Sequence, residues 1–80
     1  MNEQLVDFAV THIRRRLESA PQSVDTVSGI HSFWIEWPEP VPSQATTLEA
    51  LERLEANGLV ERIALDTREL WRLRLDVRRY

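Results

Sequence analysis

The sequence contains no cysteine, no lysine and only two glycines. Without cysteine there is no disulfide framework, no thiolate metal site and no cysteine nucleophile. The two histidines, His12 and His31, stand singly, and this is not the spaced ligand set of a zinc site. No glycine-rich phosphate loop and no Ser/His/Asp arrangement is present. We therefore expect no metal, no cofactor and no enzyme activity.

Long hydrophobic runs are missing as well. No apolar stretch approaches the roughly 18–20 residues that a membrane span needs. The first residues, MNEQLVDFAV, lack a basic start followed by an apolar run, so we expect no signal peptide, no membrane contact and a cytoplasmic location. Eighty residues predict a single domain over residues 1–80 with a modest core, to which the three tryptophans and the leucines are the main candidates.

The net charge of −3 conceals an asymmetry along the chain. Residues 1–61 carry ten carboxylates and four arginines, whereas residues 62–80 carry six arginines and three carboxylates. The overall charge disfavours strong non-specific binding to nucleic acid, but the basic C-terminal part leaves local contact with phosphates open.

The stretch from residue 43 to residue 58 predicts a helix. Leu48, Leu51 and Leu54 recur at helical spacing, and Asn57-Gly58 supplies the stop. Two starts are compatible with the sequence: a capping box formed by Thr46 with Glu49, or an earlier cap at Ser43.

Two strands follow this helix. Apolar residues alternate from Leu59 to Leu65 and again from Trp71 to Val77, which predicts an antiparallel hairpin. Asp66-Thr67-Arg68-Glu69 lies between them, and because it lacks glycine we expect a turn other than the two-residue primed type.

Residues 3–18 predict the first helix. Asn2 is a candidate cap, and Leu5, Ala9, Ile13 and Leu17 form an apolar stripe. Arg14, Arg15 and Arg16 fan around its last turns, where they either remain solvated or contact phosphate or an acidic partner.

Residues 23–37 carry two competing patterns. Val27, Ile30 and Trp34 fall at helical spacing, whereas Phe33, Ile35 and Trp37 alternate like a strand. We predict a short helix over residues 24–36, with the strand as the alternative. The segment Trp37–Pro42 then contains three prolines, which exclude regular structure; it is a stiff connection or, alternatively, a polyproline ligand.

The run LEALERLEANGLVERI, followed by a polar turn and LWRLRL, resembles the recognition helix and wing of winged helix-turn-helix proteins. DTVSGIHSFWIEW resembles the second helix of small bacterial winged-helix proteins, so the resemblance covers about residues 24–75. It implies a mainly α fold with a small β-hairpin (α+β), namely three helices and a two-stranded antiparallel wing. Two features depart from the family: the proline-rich connection, where a short turn is usual, and the acidic third helix.

The resemblance also implies candidate DNA contacts. Opposite the leucine stripe, the third helix is expected to present Ala45, Thr46, Glu49, Arg53 and Asn57. Phosphate and base contacts are then expected from the helix and the wing, with Arg78 and Arg79 as an extension: Ser43, Gln44, Thr46, Arg53, Arg62, Arg68, Arg72 and Arg74. The alternative is that Glu49 pairs with Arg53 and that the wing arginines are only solvated.

The leading hypothesis is a small accessory regulator that contacts DNA through its third helix and its arginine-rich wing, as a homodimer if it reads a specific site. The rival is a winged-helix module or inhibitor that binds a protein through its acidic helices and the Trp37–Pro42 loop; a structural domain of a larger assembly is a third interpretation. A contiguous positive face would favour DNA. An exposed Trp34 or Trp37 would favour a protein partner.

Overall fold

The computed structural model describes residues 2–78, with side chains described as far as residue 76. The elements, in chain order, are α1 (Glu3–Ser19), β1 (Val24–Asp25), α2 (Val27–Gly29), a π-helical turn (Ile30–Trp34), α3 (Gln44–Ala56), β2 (Val60–Leu65), β3 (Arg68–Leu73) and α4 (Leu75–Arg78). The α+β class predicted from the sequence is confirmed. None of the helices in these residues is long and apolar enough to cross a membrane.

Helix α1 begins as predicted at Asn2. The Asn2 side-chain oxygen accepts hydrogen bonds from the backbone N–H groups of Gln4 and Leu5, which lack partners within the helix. Its buried face consists of Val6, Ala9, Ile13 and Leu17. Leu5, predicted for this face, is only half-buried, because Val6 takes the position that packs inward.

The segment around residues 24–36 begins with a short strand and continues as a helix, and the alternating residues Phe33, Ile35 and Trp37 do not form a strand. Strand β1 comes first, and Thr26 then caps α2 by accepting the Gly29 N–H on its side-chain oxygen at 3.1 Å. The helical pattern continues through the π turn, which buries Ile30, His31 and Trp34. A helix was correctly predicted here, but the short strand in front of it was missed.

Helix α3 resolves the choice between its two predicted starts. Ser43 is the N-cap residue and Gln44 the first helical residue, so the Thr46 capping box does not form. The helix ends as expected: Gly58 adopts φ 81°, and the Leu59 N–H reaches back to the Leu54 carbonyl at 2.9 Å.

The hairpin belongs to a three-stranded antiparallel sheet in the order β1-β3-β2. The prediction of a two-stranded wing was therefore incomplete, because Val24 and Asp25 pair with Arg72 and Trp71 on the free edge of β3. In the hairpin, Leu65 pairs with Arg68.

This register leaves a two-residue connection, Asp66-Thr67, with Asp66 at φ 58°. The expectation about the turn was thus wrong. Aspartate, which tolerates the left-handed region better than most residues, occupies a position that glycine usually fills in such turns.

The hydrophobic core lies between the helices and the inner face of the sheet. Trp71, on the central strand, is 1 % exposed, and it packs in one cluster with residues of α1, the π turn, α3 and β2. Trp34 is also buried. Trp37 is half-buried, and its indole N–H donates to the His31 carbonyl at 2.9 Å. The tryptophans therefore lie in the core or at its edge, as predicted.

Candidate nucleic-acid interface

The face that α3 turns inward differs from the predicted one. Thr46 and Thr47 are 5 % and 0 % exposed, and together with Ala50, Leu51 and Leu54 they form the buried face. The Thr47 hydroxyl oxygen lies 2.7 Å from His31 Nδ1 in the π-helical turn. The placement of Thr46 on the outward face was therefore wrong, and this residue is not available to DNA.

The outward face of α3 lies opposite these residues. At about 100° per residue, it consists of Ala45, Glu52 and Ala56, with the half-buried Leu48 and Glu49 at its edges. None of these side chains carries a hydrogen-bond donor for a base edge or a positive charge for a phosphate. A carboxylate at its centre opposes binding to a polyanion.

Arg53 points toward α1. Its guanidinium lies 2.5 Å from a Glu3 carboxylate oxygen and 3.1 Å from a Glu49 oxygen, with Asp7 at 3.8 Å. The hydrogen bond that Arg53 donates lowers the pKa of Glu3, and the hydrogen bonds that Glu3 and Glu49 accept raise the pKa of Arg53. Glu49 and Arg53 thus pair, as the alternative interpretation of the sequence proposed, and Arg53 links α1 to α3.

Arg62 lies on the inner face of the sheet. The register places it directly opposite Trp71, and its guanidinium carbon lies 4.4 Å from the centroid of the indole ring. The same guanidinium contacts Glu55 at 2.8 Å, Glu69 at 3.4 Å and Glu52 at 3.9 Å. The hydrogen bond from Arg62 lowers the pKa of Glu55.

Arg68 and Arg72 share the opposite, outer face of the sheet, because alternate residues of one strand project to the same side. Arg72 Nε lies 2.7 Å from a Glu61 oxygen. Arg68, beside the turn, is exposed, and no ion-pair partner is found for it among the described residues. Arg62 therefore lies on the opposite face of the sheet from Arg68 and Arg72, although the sequence suggested one phosphate-contacting patch for all three.

The remaining candidates are scattered. Arg74, just after β3, contacts Asp76 at 3.2 Å. Ser43 and Gln44 are exposed at the start of α3, and Gln44 Nε2 lies 3.4 Å from the Ser28 hydroxyl. The Arg78 side chain and Arg79 lie outside the part of the chain that is described.

Arg16 has a role that the sequence did not reveal. Its Nε donates to the Ser23 hydroxyl at 3.2 Å, and its guanidinium carbon lies 5.2 Å from the centroid of a Trp34 ring. These contacts hold Arg16, the last of the three consecutive arginines of α1, against the buried Trp34.

The local charge follows from these positions. Residues 59–76 carry four arginines and four carboxylates, so the hairpin is formally neutral. Residues 44–57 carry three glutamates and one arginine, which gives a formal charge of −2. The third helix and the hairpin do not form the contiguous positive face that a phosphate backbone attracts.

Exposed apolar side chains occur instead between α2 and α3. Phe33 is 80 % exposed and Val41 is 52 % exposed, whereas the neighbouring tryptophans pack inward. The exposure of Phe33 was not predicted from the sequence.

Among the described residues, no group of three or more His, Cys, Asp or Glu side chains is placed so that it could hold a metal ion. No family model matches the chain, and no curated protein or solved structure matches it either.

Proposed function

We propose that this chain is a winged-helix domain that serves as a protein–protein interaction module. The order of its elements supports the winged-helix part of the proposal: three helical segments, a glycine stop at Gly58 and an antiparallel hairpin follow one another as the sequence resemblance implies. Because one fold hosts many functions, the order of elements does not select the partner, and the surface chemistry does.

The observation that carries the proposal is the outward face of α3. A helix that reads the major groove presents long polar side chains, typically arginine, lysine, asparagine or glutamine. Here the corresponding face offers Ala45, Glu52 and Ala56. Such a face suits a protein surface better than a DNA groove.

The arginines support the same conclusion. Arg53, Arg62, Arg72 and Arg74 each lie within 4 Å of a carboxylate of this chain. These ion pairs are partly exposed and individually weak. Even when an arginine leaves its pair, the carboxylate beside it repels an approaching phosphate.

A second candidate function is phosphate contact through the outer face of the sheet. Arg68 is exposed and shares that face with Arg72, and Ser43 and Gln44 are exposed at the start of α3. In this version the chain is an accessory DNA-binding regulator that holds the backbone without reading bases.

Fluorescence anisotropy of a labelled mixed-sequence duplex, measured from low salt upward, separates the two. The interaction-module proposal predicts no saturable binding by the wild type even at low salt. Salt-sensitive binding that Arg68→Glu/Arg72→Glu abolishes would overturn it and establish the second candidate. The matched control is Arg14→Glu/Arg15→Glu, which makes the same charge change on α1.

A further inference from the structure

The segment from Phe33 to Val41, called the docking segment below, carries two exposed apolar side chains. Leu65 at 61 % and Leu75 at 58 % are also exposed, but they lie outside it. Phe33, at 80 %, is the most exposed large hydrophobic side chain among the described residues, and Val41 exposes about half of its surface, 52 %. An exposed phenylalanine keeps a large apolar area in water, and such positions mark interaction sites when they occur together.

Contacts of Trp37 with residues outside the docking segment fix its conformation. Its central residue, Trp37, donates its indole N–H to the His31 carbonyl at 2.9 Å. The Trp37 ring also packs against His31 and Phe8, with ring centroids 5.2 Å and 5.7 Å apart. Pro38 and Pro40 restrict the backbone on its C-terminal side. A segment fixed in this way loses little further conformational freedom when a partner binds.

Its charge is uncompensated. Residues 17–52 contain no arginine and no lysine. Glu36 and Glu39 are exposed, and within the described residues neither has an ion-pair partner. Elsewhere, Glu3, Glu55 and Glu61 each contact an arginine, whereas Glu18 and Asp66 have no ion pair among the described residues either. The two unpaired negative charges therefore accompany the two exposed apolar side chains.

From this combination we propose that the docking segment binds a cationic amphipathic segment of a partner protein. The partner's apolar side chains pack on Phe33 and Val41, and its lysines or arginines face Glu36 and Glu39. The inference rests on the proposed function as a protein-interaction module and names the chemistry of its partner. Nucleic acid is disfavoured at this site, because the segment offers no positive charge.

The test uses a synthetic helical peptide that carries leucine on one face and lysine on the other. Backbone amide shifts of the full chain, measured by NMR during titration, are expected to move at residues 33–41. Phe33→Ser and Glu36→Lys/Glu39→Lys are each expected to weaken binding about tenfold or more, as hot-spot and charge-reversal changes do. Glu18→Lys, which alters an exposed carboxylate elsewhere, is expected to change the affinity less than about twofold.

Two control peptides complete the design, one with glutamate in place of lysine and one with serine in place of leucine. Equal binding of either control, or no binding of the leucine–lysine peptide, would overturn the inference. Shifts centred on α3 or the hairpin would also overturn it while leaving the interaction-module proposal standing. Concentration-dependent shifts of the docking segment without peptide would assign it to a second copy of the chain. The anisotropy titration with duplex DNA tests the proposed function separately, because saturable DNA binding there would contradict the interaction module whatever the peptide does.

Discussion

Arg62 and Trp71 face each other across the hairpin, with the guanidinium carbon 4.4 Å from the centroid of the indole ring. Trp71 is 1 % exposed, so Arg62 forms part of its cover. The guanidinium is also fixed by carboxylates of α3 and β3, including Glu55 at 2.8 Å. A residue that the sequence suggested for DNA contact is thus a link between the third helix, the sheet and the largest core side chain.

Replacing Arg62 by alanine is therefore expected to destabilise the fold. The change removes the cation–π contact, the hydrogen bonds to Glu55 and the packing of the arginine stem over Trp71. We expect a clear fall in the urea midpoint, followed by tryptophan fluorescence. Arg68→Ala removes an arginine of the same hairpin with no ion pair in the described residues, and it should leave the midpoint nearly unchanged. Equal effects would contradict the assigned role.

The pair formed by Glu55 and Arg62 predicts a pH dependence. The folded-state pKa of Glu55 lies below its ordinary value of 4.5, chiefly because Arg62 hydrogen-bonds the carboxylate. A lowered folded pKa stabilises the fold above pH 4.5, and this contribution is lost as the pH falls through the folded value. Glu55→Gln should therefore reduce the loss of stability on acidification, measured by urea unfolding on both sides of pH 4.5. Glu39→Gln, which alters an exposed carboxylate without an arginine partner in the described chain, should not.

Asp66→Gly is expected to stabilise the protein. Asp66 adopts φ 58°, a conformation that costs most residues about 1–2 kcal/mol and glycine almost nothing. Because aspartate bears less of this cost than most residues and glycine is more flexible in the unfolded chain, the net gain is at most about 0.5 kcal/mol. Thr67→Gly is the matched control, since Thr67 has no positive φ and should lose stability. If chemical unfolding gave the opposite order, the two-residue turn would be wrong.

Gly29 and Asp25 are expected to be coupled. A Cβ at Gly29 would overlap the Asp25 carboxylate, whose oxygen accepts the Thr26 N–H at 2.8 Å. An alanine at position 29 forces the Asp25 carboxylate to turn aside and give up this hydrogen bond, so Gly29→Ala should stabilise the wild type less than it stabilises an Asp25→Ala variant. In an Asp25→Ala background the clash is absent, and alanine should stabilise α2 by about 0.5–1 kcal/mol through its helix propensity. A double-mutant cycle of unfolding free energies measures the coupling, and simple additivity would contradict this contact.

The sequence predicted the elements whose evidence is local. The 3.6-residue spacing of Leu51 and Leu54 and the stop at Gly58 define α3, and period-two alternation indicates the hairpin. The alternation made the second strand too long, because β3 ends at Leu73 and α4 begins at Leu75. Strand β1 was not predicted, because its two residues pair with Trp71 and Arg72, which are distant in the sequence. Pairing between such distant segments has no local signature.

The candidate site was harder to predict, because its geometry depends on register and on helix rotation. The face on which Arg62 lies is fixed relative to Trp71 by the two-residue turn, and a slip of one residue would reverse it. The unexpected conformation of Asp66 left that register open. On α3, the leucines alone suggested the wrong rotation, since Thr47 and Ala50 are as deeply buried as Leu51.

The most direct test of the central claim is an amide-resolved NMR titration of the whole chain with duplex DNA at low salt. The interaction-module account predicts no saturable shifts in residues 43–56 or in the hairpin. Saturable, salt-reversible shifts at Ser43, Gln44 and Arg68 would contradict it, and would show that this surface binds DNA despite the acidic third helix.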